Sequence, residues 1–262
     1  MTDGILETMT IDDVRALRPE VVVLGVASTE PHGPVLPYGT DVFQCDAVCR
    51  RAVARANEQG ARVLMYPTLA IGNNVNFKAF PFACRIRVRT LMHVLLDIIE
   101  AVEEDGVRKV VLVDGHGGNT DAIRATLREH VDRTPAGRRA FVCMTDAMAG
   151  PEARAAIEHP SNHGGESETS RMMYLRPDLV RREHLGERPF GKPFVASLAS
   201  GTTYFVRPWH LHVPAAAGGE TRRSSADKGR GLIESGADNL AAFLMELSAA
   251  PWSPDFPYPP TP

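Results

Sequence analysis

The sequence predicts an α/β fold with a mostly parallel central sheet flanked by helices. Three observations point to it. Valine-rich apolar runs at 21–28 ("VVVLGVAS") and 109–115 ("KVVLVDG") have the continuous character of strands buried on both faces. Between the apolar runs lie segments whose apolar residues recur at helical spacing. The two kinds of segment alternate over residues 21–146, the pattern of strands joined by helical crossovers.

Taken in order, 21–28 is the first strand and 42–60 a helix closed by Gly60. Residues 61–72 form a second strand, 73–82 a polar loop, and 83–88 ("ACRIRV") alternates like a half-exposed strand. Leu91, Val94, Leu95, Ile98, Ile99 and Val102 make one apolar stripe, with Thr90 as its N-cap and Gly106 as its stop. Strand 109–115 runs into "HGGN" and a helix beginning "TDAIRATL", and 138–146 is a fourth core strand. Beyond it, 159–180 reads as loop, helix and a stop at Pro177, and 201–214 as strand and turn. Residues 224–247 are a long amphipathic helix with a serine cap. A proline-rich tail from about 250 to 262 is expected to extend over the surface or a neighbouring subunit. No repeat or linker breaks the chain, so the expectation is one domain spanning 1–262.

Composition narrows the function. The formal net charge of -3 gives no basic field for nucleic acid. No apolar run approaches the ~20 residues of a membrane span, and the acidic N-terminus lacks the form of a secretory signal. Cys45, Cys49, Cys84 and Cys143 contain no CxxC pair, which suits reduced thiols and a cytoplasmic setting. Cys45 and Cys49 stand one helical turn apart; buried small side chains explain them better than a metal.

Chemistry concentrates in three polar clusters placed after strands, where ligands of open parallel sheets bind. The first is "STEPHGPVLPYGTD" (28–41), with Glu30, His32 and Asp41 in a loop stiffened by proline and glycine. The second is "DGHGGN" (114–119), with His116; the third is "HGGESETS" (163–170), with His163, Glu166 and Glu168. Imidazole nitrogen with carboxylate oxygen suits Zn²⁺, Mn²⁺ or Fe²⁺. Glu30 and His32, two apart, can meet one metal or two adjacent ones, and a carboxylate such as Asp41 can bridge a pair. Singly, each residue reads as well as a solvated loop acid, a turn histidine or a helix cap; together they converge.

These motifs, in this order and spacing, resemble the creatininase family, and with the "SSADKG" helix start (224–229) the likeness covers about 20–248. The resemblance implies a layered α/β hydrolase with two divalent metal ions, Zn and/or Mn, with Fe possible. It implies Glu30, His32, Asp41 and His116 as metal ligands, with Asp41 as the bridge. Creatininase takes a further carboxylate just after its "GH"; here that stretch is His116-Gly117-Gly118-Asn119, so the role passes to Glu168, with Glu166 in reserve. On a helix, those two glutamates point about 200° apart, so one of them faces the metals. His163 is the implied general acid/base, and Gly117 and Gly118 offer room and backbone donors.

Departures bear on substrate. Creatininase proper has a tryptophan shortly before its catalytic histidine, where this chain reads "EHPSNH" (158–163). An "H..FPGT"-like segment of relatives is "FKAFPFACR" (77–85), with Phe77 in the histidine's place. The expected reaction is therefore metal-assisted C–N hydrolysis of a small amide other than creatinine. The alternatives are a deformylase, a peptidase, a keto-inositol ring hydrolase or a silent metal-binding scaffold. Arg85, Arg87 or Lys78 could meet an anion, and one of His210 and His212 could face a pocket. A homo-oligomer, commonly a hexamer, is the family expectation.

Overall fold

All six residues of β1 (Val21–Val26) are buried, because the strand lies inside a parallel sheet covered on both faces. The computed structural model describes residues 3–259 except 136, 138, 148, 161 and 162. On one side β1 pairs with β2 (Val63–Leu69), Val21 opposite Val63. On the other it pairs with β3 (Lys109–Asp114), Val22 opposite Val110, and β3 pairs with β4 (Phe141–Thr145). All three pairings are parallel, and the order is β2-β1-β3-β4.

Side-chain alternation along the strands sorts the core into two layers. Helix α1 (Ile11–Leu17), opened by a Thr10–Asp13 capping box, precedes β1. Helix α2 (Thr40–Glu58) follows β1, α3 (Val88–Glu104) follows β2 and α4 (Thr120–Arg133) follows β3. The later elements are α5 (Pro151–Ala155), α6 (Glu166–Leu175), β5 (Glu187–Arg188), α7 (Ala196–Ala199), α8 (Trp209–His212), β6 (Gly219–Glu220) and α9 (Ala226–Ala249). Val21, Val23, Val111 and Val113 pack under α2 and α9, where Cys49, Val53, Leu240 and Leu244 meet them. Val22, Leu24 and Leu112 pack under α3 and α4, against Leu95, Ile99 and Ile123. Each fully buried leucine contributes about 1.5–3 kcal/mol to this arrangement. The last helix is also pinned at its end: buried Lys109 donates from Nζ to the Leu247 carbonyl at 2.7 Å, a cation at a helix C-terminus.

This topology creates the crevice. β1 and β3 are neighbours, yet the chain leaves β1 for a helix on one face and β3 for a helix on the other. Their two exit loops therefore diverge and leave open space beyond the strand ends.

The structure departs from the expected elements in four places. Residues 83–88 form no strand: Cys84 makes a lone bridge to Thr29, Arg85 another to Gly72, and α3 has begun by Val88. The boundary of α3 is extended Arg87, so Thr90 sits inside the first turn and caps nothing. Residues 201–214 contain no strand; Trp209–His212 turn into α8, so His210 and His212 do not alternate. The tail folds back on its own chain, with Phe256 edge-on to Phe141 at 5.0 Å. Gly60 and Gly106, at φ +91° and +86°, end their helices as expected. The four cysteines are free, and Cys45 and Cys49 are buried. The end of the tail (260–262) and Ser161 and Asn162 of "EHPSNH" lie outside the described residues. No helix among the described residues is long and apolar enough to cross a membrane.

Candidate metal centre

Both exit loops are folded by their own backbone and by buried amides. The Glu30 N–H donates to the Tyr38 carbonyl at 3.0 Å, closing the loop after β1 into a compact turn. That turn delivers the chain into α2, so Asp41 lies in the helix's first turn, where the positive helix end favours a carboxylate. At the end of β3, Asp114 receives the His116 N–H at 3.2 Å and the Thr120 hydroxyl at 2.6 Å, which fixes the turn carrying His116, and the His116 ring itself places Nε2 3.1 Å from the Asn73 carbonyl. Buried Asn119 donates to the carbonyls of Val26 and Ala27, both at 3.1 Å, and accepts from the Asn73 N–H at 2.8 Å. It occupies the N-cap position of α4 without capping through its side chain; it stitches three loops together instead.

The predicted donors converge at this point. Asp41 stands between two imidazoles, with Oδ1 3.1 Å from His32 Nε2 and Oδ2 3.0 Å from His116 Nδ1. Glu30 Oε2 lies 3.3 Å from His116 Nε2, and Glu168 Oε2, from the first turn of α6, lies 3.8 Å from His32 Nε2. Three sets of potential ligand atoms each fall within 4.8 Å of one another: Glu30, Asp41 and His116; His32, Asp41 and Glu168; and Glu30, His32 and His163. The His32 Nδ1 lies 3.0 Å from the Glu30 carbonyl, an arrangement that leaves Nε2 free for a ligand role, as in many metal-binding histidines.

These residues fit a divalent cation. Glu30 Oε2 and Asp41 Oδ2 are buried without a hydrogen-bond partner, although a His116 nitrogen is near each. Such orphaned carboxylate oxygens are costly unless a cation satisfies them. The ionisation pattern carries the same message. Burial pushes the Glu30 carboxyl up to about 8, with His116 pulling against it. Burial opposes charge on His32 and His116, but Asp41 beside the first and Glu30 and Asp41 beside the second outweigh it, raising them to about 10 and about 9. Burial would raise Asp41 too; the two imidazoles hold it well below the usual carboxylate range. Burial raises Glu168.

His163 differs from its neighbours. Burial and the nearby His32 charge lower it to about 3, so its ring is neutral. Its Nε2 bonds the Pro31 carbonyl at 2.9 Å, and its Nδ1 lies 3.7 Å from Glu30 Oε1. Glu166 is not among the converging groups. Its buried carboxylate bonds Lys228 Nζ at 2.6 Å and accepts the backbone N–H groups of Glu158 and His159. Of the two glutamates, the structure thus brings Glu168 to the cluster and turns Glu166 away, which corrects its reserve role.

A cavity of about 980 Å³ opens from the cluster, lined at its inner end by Glu30, Asp41, His116, His163 and Glu168. Gly117 and Gly118 also line it, but they differ: a Cβ on Gly117 would meet nothing, whereas one on Gly118 would strike the Asn73 carbonyl and the His116 ring. Phe77 and Trp209 form an aromatic wall beside His163. Trp209 had no spacing signal in the sequence, because a long irregular stretch separates it from the other motifs. His210 is exposed and His212 bonds the Gly191 carbonyl at 3.0 Å; neither lines the cavity. Arg85 and Arg87 border a separate hollow of about 440 Å³.

Comparison with known proteins decides the relationship. The sequence model of the family described as "Creatininase: Creatinine amidohydrolase" matches residues 7–244. The chain belongs to the creatininase family. Among curated creatininase-family relatives, the Mycobacterium ulcerans "Mycofactocin precursor peptide peptidase" is 26% identical, over 95% of this chain and 93% of that one. The Pseudomonas putida "Creatinine amidohydrolase" is 26% identical, over 86% and 89%. A Bacteroides fragilis NCTC 9343 crystal structure, provisionally named a creatinine amidohydrolase, has 25% identity and a TM-score of 0.84, covering 97% of this chain and all of that one. A structure named "Creatininase Mn" (24% identity, TM-score 0.75, covering 95% of this chain and all of that one) shares the fold, and another creatininase is described as a Zn-Zn type. The fold is thus that of the creatininases, and the chain is a metal-dependent amidohydrolase.

Proposed function

We propose that this creatininase-family enzyme uses two divalent cations to hydrolyse a C–N bond in a small amide other than creatinine. One observation carries the reading: the two oxygens of Asp41 face different imidazoles, and Asp41 belongs to two of the three donor sets. Glu30, Asp41 and His116 would hold one cation, and His32, Asp41 and Glu168 the other. Cations held there supply a water of lowered pKa and polarise the carbonyl. The chain's own contribution is positioning and proton handling. His163 lines the cavity with Nε2 held on the Pro31 carbonyl, so Nδ1 is the nitrogen placed to take up a proton and return it to the leaving nitrogen, which would otherwise depart as a poor anion. Zn and Mn both suit this donor set.

A second reading is favoured by the size of the cavity. A space of about 980 Å³ exceeds what a small cyclic amide fills, and several relatives are named peptidases, so the C–N bond could lie near the end of a peptide. The free cysteines agree with a cytoplasmic setting, and we extend the family's homo-oligomeric habit to this chain.

The test is metal counting followed by a substrate panel. Chain stripped with chelator and reloaded with Zn²⁺ or Mn²⁺ should bind two ions. It should then release amine from a cyclic amide, a formamide or a short peptide, with creatinine a poor substrate. A single bound ion would overturn the paired centre. Two ions with every amide left intact would overturn the reaction.

A further inference from the structure

We propose that Trp209 is a positioning residue for His163. Its indole, with the ring of Phe77, holds the imidazole so that Nε2 stays on the Pro31 carbonyl and Nδ1 is turned toward Glu30 and the cavity. This rests on the reading of His163 as the proton carrier.

The geometry makes the need for such a clamp plain. His163 is buried, and among the described residues the one hydrogen bond of its ring runs from Nε2 to the Pro31 carbonyl at 2.9 Å. A single hydrogen bond fixes one ring atom and leaves the ring plane free to swing about that line. Rotation would carry Nδ1 away from Glu30 Oε1, now 3.7 Å distant. Three rings prevent it. The His32 ring, itself fixed by the Glu30 carbonyl, lies 4.2 Å away and tilted by 36°. Trp209 meets His163 edge-on at 4.8 Å and 85°, and Phe77 meets it at 4.8 Å and 46°. Trp209 and Phe77 brace each other at 4.7 Å. Edge-on and tilted contacts in this range are favourable and orientation-dependent, unlike aliphatic packing.

The supports come from outside the donor loops. Phe77 ends a short 3-10 turn (Val75–Phe77) and is almost wholly buried. Trp209 opens α8. The metal donors sit on the exits of β1 and β3, in the first turn of α2 and on α6, so the clamp can be altered without replacing any of them. With Nε2–H donated to Pro31, Nδ1 carries the lone pair. It takes one proton from the attacking water as hydroxide adds to the carbonyl carbon. It gives that proton to the nitrogen as the C–N bond breaks, and the ring ends neutral as it began.

The experiment is nitrogen NMR of the zinc-loaded full chain with ring-labelled histidine, His163 being assigned by loss of its signals in His163→Gln. Wild type should show the proton on Nε2 and a bare Nδ1. Trp209→Ala should mix the two tautomers and speed exchange of the Nε2 proton about tenfold or more, with zinc content unchanged; Trp209→Phe should keep the wild-type spectrum. On a substrate found by the panel, Trp209→Ala should lower kcat about tenfold and change KM little, the mark of misplaced chemistry. A wild-type ring protonated on Nδ1, or bound to zinc through it, overturns the proposal, and that measurement stands even if Trp209→Ala fails to fold. Unchanged His163 signals in Trp209→Ala, beside an inactive His163→Gln, would remove the clamp alone. Undiminished hydrolysis by His163→Gln would remove the proton-carrier reading and the clamp with it.

Discussion

Lys228 Nζ lies 2.6 Å from Oε1 of Glu166, a carboxylate with no exposure to solvent. The pair joins the start of α9 to the start of α6, and the Glu166 oxygens also bind the N–H groups of Glu158 and His159. Removing the lysine leaves a buried charge without its counterion. Lys228→Met should destabilise the fold by about 3 kcal/mol in urea unfolding, and the double variant with Glu166→Gln by less. Since Glu166 stands apart from the donor cluster, Glu166→Gln should retain its full metal complement by elemental analysis.

Asp41 is the member shared by the two donor sets proposed to hold cations. Asp41→Ala should bind less than one zinc per chain under conditions where wild type binds two. Full metal content with undiminished turnover in that variant would contradict the shared-carboxylate assignment.

Stripped of metal, the enzyme should lose stability as pH rises. His32 and His116 are raised above the ordinary histidine value, to about 10 and about 9. A raised histidine contributes fully below the unfolded pKa of about 6.5, and that contribution disappears as pH climbs through the folded value. Glu30, raised to about 8, acts in the same direction: holding it costs more as pH rises from the ordinary carboxyl value to about 8. Asp41, held low, stays ionised across this range and adds no slope, and His163, held neutral, opposes the trend only around pH 6 to 7, where the unfolded histidine still titrates. The melting temperature of the stripped chain should therefore fall by roughly 5 °C or more between pH 6 and pH 10. Zinc-loaded protein should show a smaller slope, because cations replace the protons. A flat profile for the stripped chain would refute the ionisation pattern.

Gly118→Ala tests how tightly the His116 loop is packed. A Cβ there collides with backbone at Asn73 and with the His116 ring, and backbone cannot yield as a flexible side chain can. The variant should lose metal affinity by about tenfold or more, whereas Gly117→Ala, with open space around it, should match wild type. Competition with a chromogenic chelator reads both.

Much of this was legible in the chain itself. The apolar runs at 21–28 and 109–115 announced the two central strands, because a strand covered on both faces leaves no polar side to confuse the period. Glu30, His32, Asp41, His116 and Glu168 were legible because each sits a few residues from the end of a strand or the start of a helix, where local sequence dictates the turn. The segments at 83–88 and 201–214 mislead because short alternation has no meaning without a partner strand, and the sheet offers none there. Trp209, Asn119 and Lys228 matter through contacts with remote parts of the chain, and no spacing rule reaches that far.

The outer cavity wall, around Gly201, Tyr204 and Arg207, is built from a largely exposed stretch without regular structure, while the donor cluster at its floor rests on the ends of the sheet, α2 and α6. Replacements in that stretch can reshape what enters while leaving the reactive floor as it is. An outer wall free of helix and strand can accept insertions and exchanges that a sheet end cannot, which makes 201–207 the place where a new taste would be acquired at least cost to the fold.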